Sequence, residues 1–458
     1  ITASLFKLHI RVYKVFCCIF DLYYIISAEV KYAINSDKIM KLKQYSPYII
    51  AFCATIIRYY DYALFGLSAS MISKNFMPSA EGGDQMLVFF AIFGIAMLAR
   101  PLGSIIFGKI GDKVSRVASV KISMILAAIS TSLIAIIPSF DSIGWFAVIL
   151  LILCRMLFLV SLAGEIDAIK IYVAEKIGKK KRHFAIGIVS FCSQIGVLLA
   201  SVMYHVAISF EEIQWLWKAN FFLGGVLGLF IIMMRGQLQD SNAFLKNKSK
   251  VIEGIDISIF SIIANHKMQF MLAVIINGML GGGYHFLIIF LGTFAANVAE
   301  FMPPDQATFS NIGIISLYGL ACVLSGYVSD KFHISKQIII ALICSISCVL
   351  IMEIMLGLGV FARHLHYVLA FITPFYSVPC AIKMQSLFAT GIRMRMFSLS
   401  HSLGSLIFSS TTPFICMLIW RWSESFALVL VYFLVQLGVL FFTLIAVLKK
   451  DYVNMFEI

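Results

Sequence analysis

The chain has 458 residues, 61% of them hydrophobic and only 13% charged, with a formal net charge of +13. Soluble globular domains carry about a quarter charged residues, so a soluble fold is excluded. A membrane β-barrel is excluded as well, because its spans would be short alternating segments. Apolar runs of about 20 residues recur throughout, and each can cross a hydrocarbon core of about 30 Å as a helix. The composition therefore predicts an all-α polytopic membrane protein.

Residues 1–39 come first. Lys7, Arg11 and Lys14 precede Val15-Phe16-Cys17-Cys18-Ile19-Phe20, a weak signal-peptide-like core that Asp21 interrupts. Met40 directly precedes Lys41-Leu42-Lys43 and the first good span, which makes 1–39 an extension with no assigned role. About twelve spans are predicted, near 47–71, 85–108, 117–137, 145–172, 184–209, 218–235, 267–296, 307–328, 337–357, 365–389, 397–420 and 425–448. They group into two six-helix halves, 40–235 and 267–448. A linker, 236–266, joins them, and a short tail, 449–458, follows.

The basic charge is a topology signal. From Lys38 onward, 24 Lys and Arg fall in or beside one set of loops and the terminal segments, while four (Lys74, Lys218, Arg363 and Arg421) fall on the other side. That bias puts the first set, with both termini, in the cytoplasm. Nucleic acid is not an expected partner, since no separate basic domain exists to carry it. Trp145, Trp215, Trp217, Trp420 and Trp422 all lie at the predicted outer ends of spans, where an interfacial belt belongs. The ten cysteines, mostly inside spans, read as small buried hydrophobes.

One motif occurs twice. Gly108-Lys109-Ile110-Gly111-Asp112-Lys113 reappears as Gly326-Tyr327-Val328-Ser329-Asp330-Lys331, and each copy closes an apolar run and opens a polar turn. A glycine at a helix end allows close backbone approach, and an aspartate just beyond the membrane can bond helix-end N–H groups or basic side chains. Gly103 to Lys109 also reads G-x-x-x-x-G-K, but Ile110 stands where a phosphate loop needs Ser or Thr, so nucleotide binding is rejected. No metal-ligand spacing appears, and no cofactor is implied.

Ionisable residues within spans cost several kcal/mol unless partnered. The basic ones are Arg58, Arg100, Arg155 and Lys383; the acidic ones are Asp61, Glu165, Asp167 and Glu353. Arg58 and Asp61 sit deep in the first span, three residues apart and on one helical face. Arg155 is deep in the fourth. Gly281-Gly282-Gly283-Tyr284-His285 suits a bendable seventh span, and Tyr376 and Ser377 lie between Pro374 and Pro379 in the tenth. His401 reads as packing or an interface.

These residues together resemble the major facilitator superfamily, and within it the metabolite:proton symporters, especially their proline/betaine transporters. The paired G-x-x-x-D-K carries the superfamily likeness. Tyr59-Tyr60-Asp61-Tyr62-Ala63-Leu64-Phe65-Gly66, Arg100-Pro101-Leu102-Gly103, Arg155 with Gly164-Glu165, Val173-Ala174-Glu175 and Leu387-Phe388-Ala389-Thr390-Gly391-Ile392-Arg393 carry the narrower one. Departures include Ser115 for the motif glycine, Arg58 where an acid is usual, and Gly178 and Ala389 in place of prolines.

The resemblance implies two halves rocking about a midplane site lined by spans 1, 4, 7 and 10. It implies a cytoplasmic latch at Gly108, Asp112, Lys113, Gly326, Asp330 and Lys331, with Arg116 as a partner in the first loop. Arg58 and Arg155 are the expected anchors for a substrate carboxylate, since guanidinium donates two parallel hydrogen bonds. Tyr284, His285, Tyr376 and Ser377 are expected beside them. Asp61 and Glu165 are the expected proton-coupling groups, because a carboxyl group changes its proton affinity as its access to water and to a cation changes. The expected function is proton-coupled symport of a small zwitterion or carboxylate across a bacterial inner membrane. The alternative, supported by the departures, is a non-transporting relative acting as a membrane sensor or structural protein.

Overall fold

The computed structural model describes residues 36–77, 89, 92, 94–210, 215–234, 259–291, 294, 304–358 and 363–449. Residues 1–35 of the extension 1–39, most of the linker and residues 450–458 of the tail lie outside them. The chain divides into two compact units, Ile1–Ile50 and Ala51–Ile458. In the first, the described residues begin one long helix; the second holds every other element.

The spanning helices follow the apolar runs. They are α1 (Ser36–Leu67), α2 (Arg100–Lys113), α3 (Arg116–Ile136), α4 (Trp145–Ile177), α5 (Arg182–Ser209) and α6 (Leu216–Met234). The second half has α7 (Lys267–Tyr284), α8 (Pro304–Lys331), α9 (Ile334–Gly357), α10 (Arg363–Ile372 and Pro374–Ser386), α11 (Arg393–Gly404 and Thr412–Ser423) and α12 (Phe426–Lys449). Among the described residues, eleven helices are long and apolar enough to cross a membrane. Of the expected second span, 85–108, residues 89, 92 and 94–108 are described, and α2 carries its last part. The outward faces are apolar where a bilayer would lie: Leu102 and Ile106 on α2, Ile340 and Ile354 on α9, and Val435 and Phe442 on α12 are all exposed.

Local chemistry explains two of the departures. Ser115 is the N-cap of α3, and its side chain accepts a hydrogen bond from the Ala118 N–H at 3.0 Å. Gly178 ends α4 with φ of 79°, a left-handed backbone that proline cannot adopt. Its mate Gly144, with φ of 59°, opens the same helix.

The halves differ in regularity. In the first, α4 runs 33 residues without a break. In the second, α7 continues into a π-helical turn at His285–Phe290, and α11 is interrupted by another at Ser405–Ser409. Helix α10 breaks at Thr373 and carries Pro379 inside its second segment. Such turns and prolines are the usual sources of helix bending. Between the halves, α5 packs along α8, and α2 packs along the first segment of α11. Backbone proximity there depends on small residues: a Cβ on Gly187 would strike the Cys322 carbonyl, and one on Gly108 would meet Arg395 Cα at 2.9 Å.

Candidate gate and charge centre

The paired motif forms two equivalent contacts between halves. Gly108 and Asp112 are four apart, hence on one face of α2. That face meets the first turn of α11. Asp112 accepts the Met394 N–H at 3.2 Å, the Arg395 N–H at 2.9 Å and the Arg395 side chain at 3.2 Å. Gly326 and Asp330 present the same face of α8 to the first turn of α5. Asp330 accepts the His183 N–H at 3.0 Å and the Phe184 N–H at 2.9 Å, and meets His183 Nδ1 at 2.8 Å. A Cβ on Gly326 would lie 2.9 Å from Phe184 Cα. Each carboxylate thus satisfies orphan N–H groups at a helix start, where the helix dipole favours an anion. The glycine permits the approach that the aspartate exploits.

A third link stands beside them. Arg393 Nη1 donates to Glu175 Oε1 at 3.0 Å, joining α11 to the end of α4, and both side chains are almost fully buried. These contacts close the molecule at the end carrying the basic loops. Lys331, expected in the gate, bonds Tyr327 of its own helix instead. Lys113 is half-buried at the end of α2, and the side chain of Arg116 lies outside the described residues. Across the interface Asp112 is met by Arg395, a partner the sequence did not name. Long-range partners of this kind leave no local spacing to read. Glu175 and Arg393 do stand in the sequence, in Val173-Ala174-Glu175 and at the end of Leu387-Phe388-Ala389-Thr390-Gly391-Ile392-Arg393, two of the stretches that carry the family likeness.

Deeper in the first half, Arg58, Asp61, Arg155 and Glu165 form one cluster of buried charges. Arg58 donates through Nε to Glu165 Oε2 at 2.7 Å, with Nη2 on the same oxygen. Arg58 and Asp61 share a helical face, yet the guanidinium turns to α4 rather than to Asp61. A carboxylate on the neighbouring helix can meet two guanidinium donors at once, which neighbours on one helix seldom manage. Arg155 is buried among aromatic faces, its guanidinium 4.2 Å from the Phe65 ring centre and 4.9 Å from that of Phe158. Asp61 is buried with charged neighbours Arg58, Glu165 and Arg155, and its Oδ1 has no hydrogen-bond partner among the described residues. Gly224 of α6 packs directly on that oxygen. Two cations and two carboxyl groups thus balance inside one half. Beside them a cavity of about 30 Å³, lined by Thr55, Arg58, Tyr59, Glu165, Lys170 and Ser193 among others, has room for one or two waters.

The second half contributes neutral polar groups. His285 is buried, with Nδ1 2.7 Å from Ser409 Oγ and 2.9 Å from the Gly281 carbonyl, and Nε2 3.4 Å from the Tyr62 hydroxyl. The Tyr284 hydroxyl donates to Gln194 of α5 at 3.2 Å, so both residues of the α7 pair reach the first half. Tyr376 turns inward, its hydroxyl 3.4 Å from Thr373 Oγ1. Asp167 and His401, neither given a role by the sequence, join α4 to α11 at 2.8 Å.

Among the described residues, eleven helices long and apolar enough to cross a membrane, with two regions held together through paired aspartates, have the major facilitator fold. A solved proton:xylose symporter, XylE, superposes with a TM-score of 0.71 at 15% identity, covering 90% of this chain and 99% of its own. FucP, solved in an outward conformation, gives 0.66 at 12% identity, covering 88% and 99%. Residues 48–258 match the family model of the sugar (and other) transporters.

In sequence the chain is similar to proline/betaine transporters. It is 34% identical over 202 residues to the proline/betaine transporter of Escherichia coli K12, a match spanning 43% of this chain and 40% of the relative's length. It is 27% identical over 376 residues to a putative proline/betaine transporter of Staphylococcus aureus MSSA476, spanning 78% of both. The proteins similar to it in sequence and in fold are described as transporters.

Proposed function

We propose that the protein is a secondary active transporter that couples proton entry to symport of a small zwitterion or carboxylate, in a bacterial inner membrane. The observation that carries this reading is the pair of equivalent carboxylate-to-helix contacts between the halves. They close one end of the molecule through groups that can part without disrupting either half. Alternating access requires such an interface.

In this reading Gly108, Asp112, Gly326 and Asp330 are the gate, with Arg395 and His183 as partners. Asp61 is the proton carrier: it is a buried carboxyl group with an unbonded oxygen beside two arginines. Arg58, Glu165 and Arg155 set its electrostatic surroundings. Arg58 is engaged by Glu165 and Arg155 by aromatic faces, so both are assigned to the proton site rather than to the solute. Tyr284 and His285, which reach across to Gln194 and Tyr62, line the solute path; Tyr376 and Ser377 stiffen the broken α10 beside it. The similarity to proline/betaine transporters favours a zwitterionic solute.

The test is uptake into proteoliposomes. With an imposed inward proton gradient, labelled proline or glycine betaine accumulates above its equilibrium level, and a protonophore abolishes the accumulation. Absence of gradient-driven uptake across a panel of such solutes would contradict the reading.

A further inference from the structure

The cluster of Arg58, Asp61, Arg155 and Glu165 is balanced, but a second cluster, where α2 and α4 meet α11, is not. Asp167 of α4 meets His401 of α11 at 2.8 Å. The other charged groups within electrostatic reach of this pair are Arg100 of α2 and Lys170, one turn beyond Asp167 on α4. Arg100 is 5% exposed; it donates to Ser405 Oγ of α11 at 2.6 Å, and its Nε has no hydrogen-bond partner among the described residues. Lys170 has no ion-pair partner within 4 Å among the described residues, and it lines the small cavity shared with Tyr59 and Glu165. Two cations and an imidazole therefore surround a single carboxylate.

An unbalanced cation inside a membrane protein is costly, and such groups mark ligand or ion pathways. The balanced set of Arg58, Asp61, Arg155 and Glu165 needs no further anion; this one lacks one. It also offers a place for a cationic end. Asp167 Oδ2 has no hydrogen-bond partner among the described residues, and the hydroxyl of Tyr59 lies within electrostatic reach of Asp167 and Arg100. The cluster spans α2, α4 and α11, so it belongs to both halves and changes shape when they rock.

We propose that the carboxylate of a zwitterionic solute docks between Arg100 and Lys170, with His401 holding Asp167 so that its second oxygen faces the solute's cationic end. The proposal rests on the transport reading above and names the solute site within it. Arg58 and Arg155 are then positioning residues for the proton site, and Arg100 and Lys170 are the solute-binding ones.

The experiment is equilibrium binding of labelled glycine betaine and labelled proline to purified full-length protein, with choline as competitor. Choline keeps the quaternary ammonium and lacks the carboxylate. Expected for the unaltered protein is strong preference for glycine betaine over choline. Lys170→Gln and Arg100→Gln each weaken binding of both labelled solutes by at least about 30-fold, as expected on losing one partner of a buried charge pair. Choline affinity barely moves, so discrimination shrinks; Arg100→Lys retains most of it. If Arg100→Gln unfolds, the half-buried Lys170 carries the test, and thermal unfolding in detergent checks that its variant is intact. Wild-type affinity in Lys170→Gln, or unchanged discrimination against choline, overturns this inference alone. Failure of the unaltered protein to bind either solute removes the transport reading and this site with it.

Discussion

The two halves share a motif and divide the remaining chemistry unequally. The first keeps its charges buried on unbroken helices: Arg58 on α1 faces Glu165 on the 33-residue α4. The second half brings π-helical turns at His285–Phe290 and Ser405–Ser409, a break at Thr373, and neutral donors such as His285 and Tyr376. A charge site needs fixed geometry, because an ion held loosely in low dielectric loses its compensation. A moving wall needs places where backbone hydrogen bonds are already rearranged. The two halves thus separate fixed charge from irregular backbone.

The largest effect should come from breaking the rigid half. Arg58→Met leaves Glu165 buried without its cation and should lower stability by about 3–5 kcal/mol. Thermal unfolding in detergent measures this, and Arg58→Met with Glu165→Met together should recover most of the loss. A double variant as unstable as the worse single would show that the pair is not the relevant interaction.

The gate is where the halves behave alike. Asp112→Ala and Asp330→Ala each remove hydrogen bonds at a helix start, and each should favour opening at the basic end by about 1–3 kcal/mol. Asp112→Ala should have the greater effect, because Arg395 also loses its anion. Spin labels placed across that end would read longer distances. Unchanged distances in both variants would remove the latch.

The smallest effect should come from the bending half. Pro379→Ala restores a backbone donor within α10 and should leave stability within about 1 kcal/mol while slowing turnover roughly threefold, as expected when a gating motion limits the rate. Stopped-flow or solid-supported-membrane currents can separate that rate from solute affinity. An affinity change with no rate change would move Pro379 from the wall to the site.

The sequence made the framework readable for a physical reason. Apolar runs and a one-sided distribution of Lys and Arg are dictated by the bilayer, which acts on every span independently of its neighbours. The paired G-x-x-x-D-K was legible because glycine and aspartate four apart must share a helical face. The partners of those residues were not. Arg395 for Asp112, and Glu165 rather than Asp61 for Arg58, depend on how helices distant in sequence come together. Lys170 reads in the sequence as one more charge of the basic face; only the fold sets it beside Asp167 and Arg100. Ser115 and Gly178 read as wear in a motif, while in the structure one caps α3 and the other turns the chain at the end of α4.

The central claim is that Asp61 carries the coupled proton. Proteoliposomes containing Asp61→Asn should be compared with the unaltered protein in two modes: accumulation driven by a proton gradient, and exchange of labelled for unlabelled solute without one. The account predicts that exchange persists while gradient-driven accumulation is lost. Accumulation at the unaltered level in Asp61→Asn would contradict it.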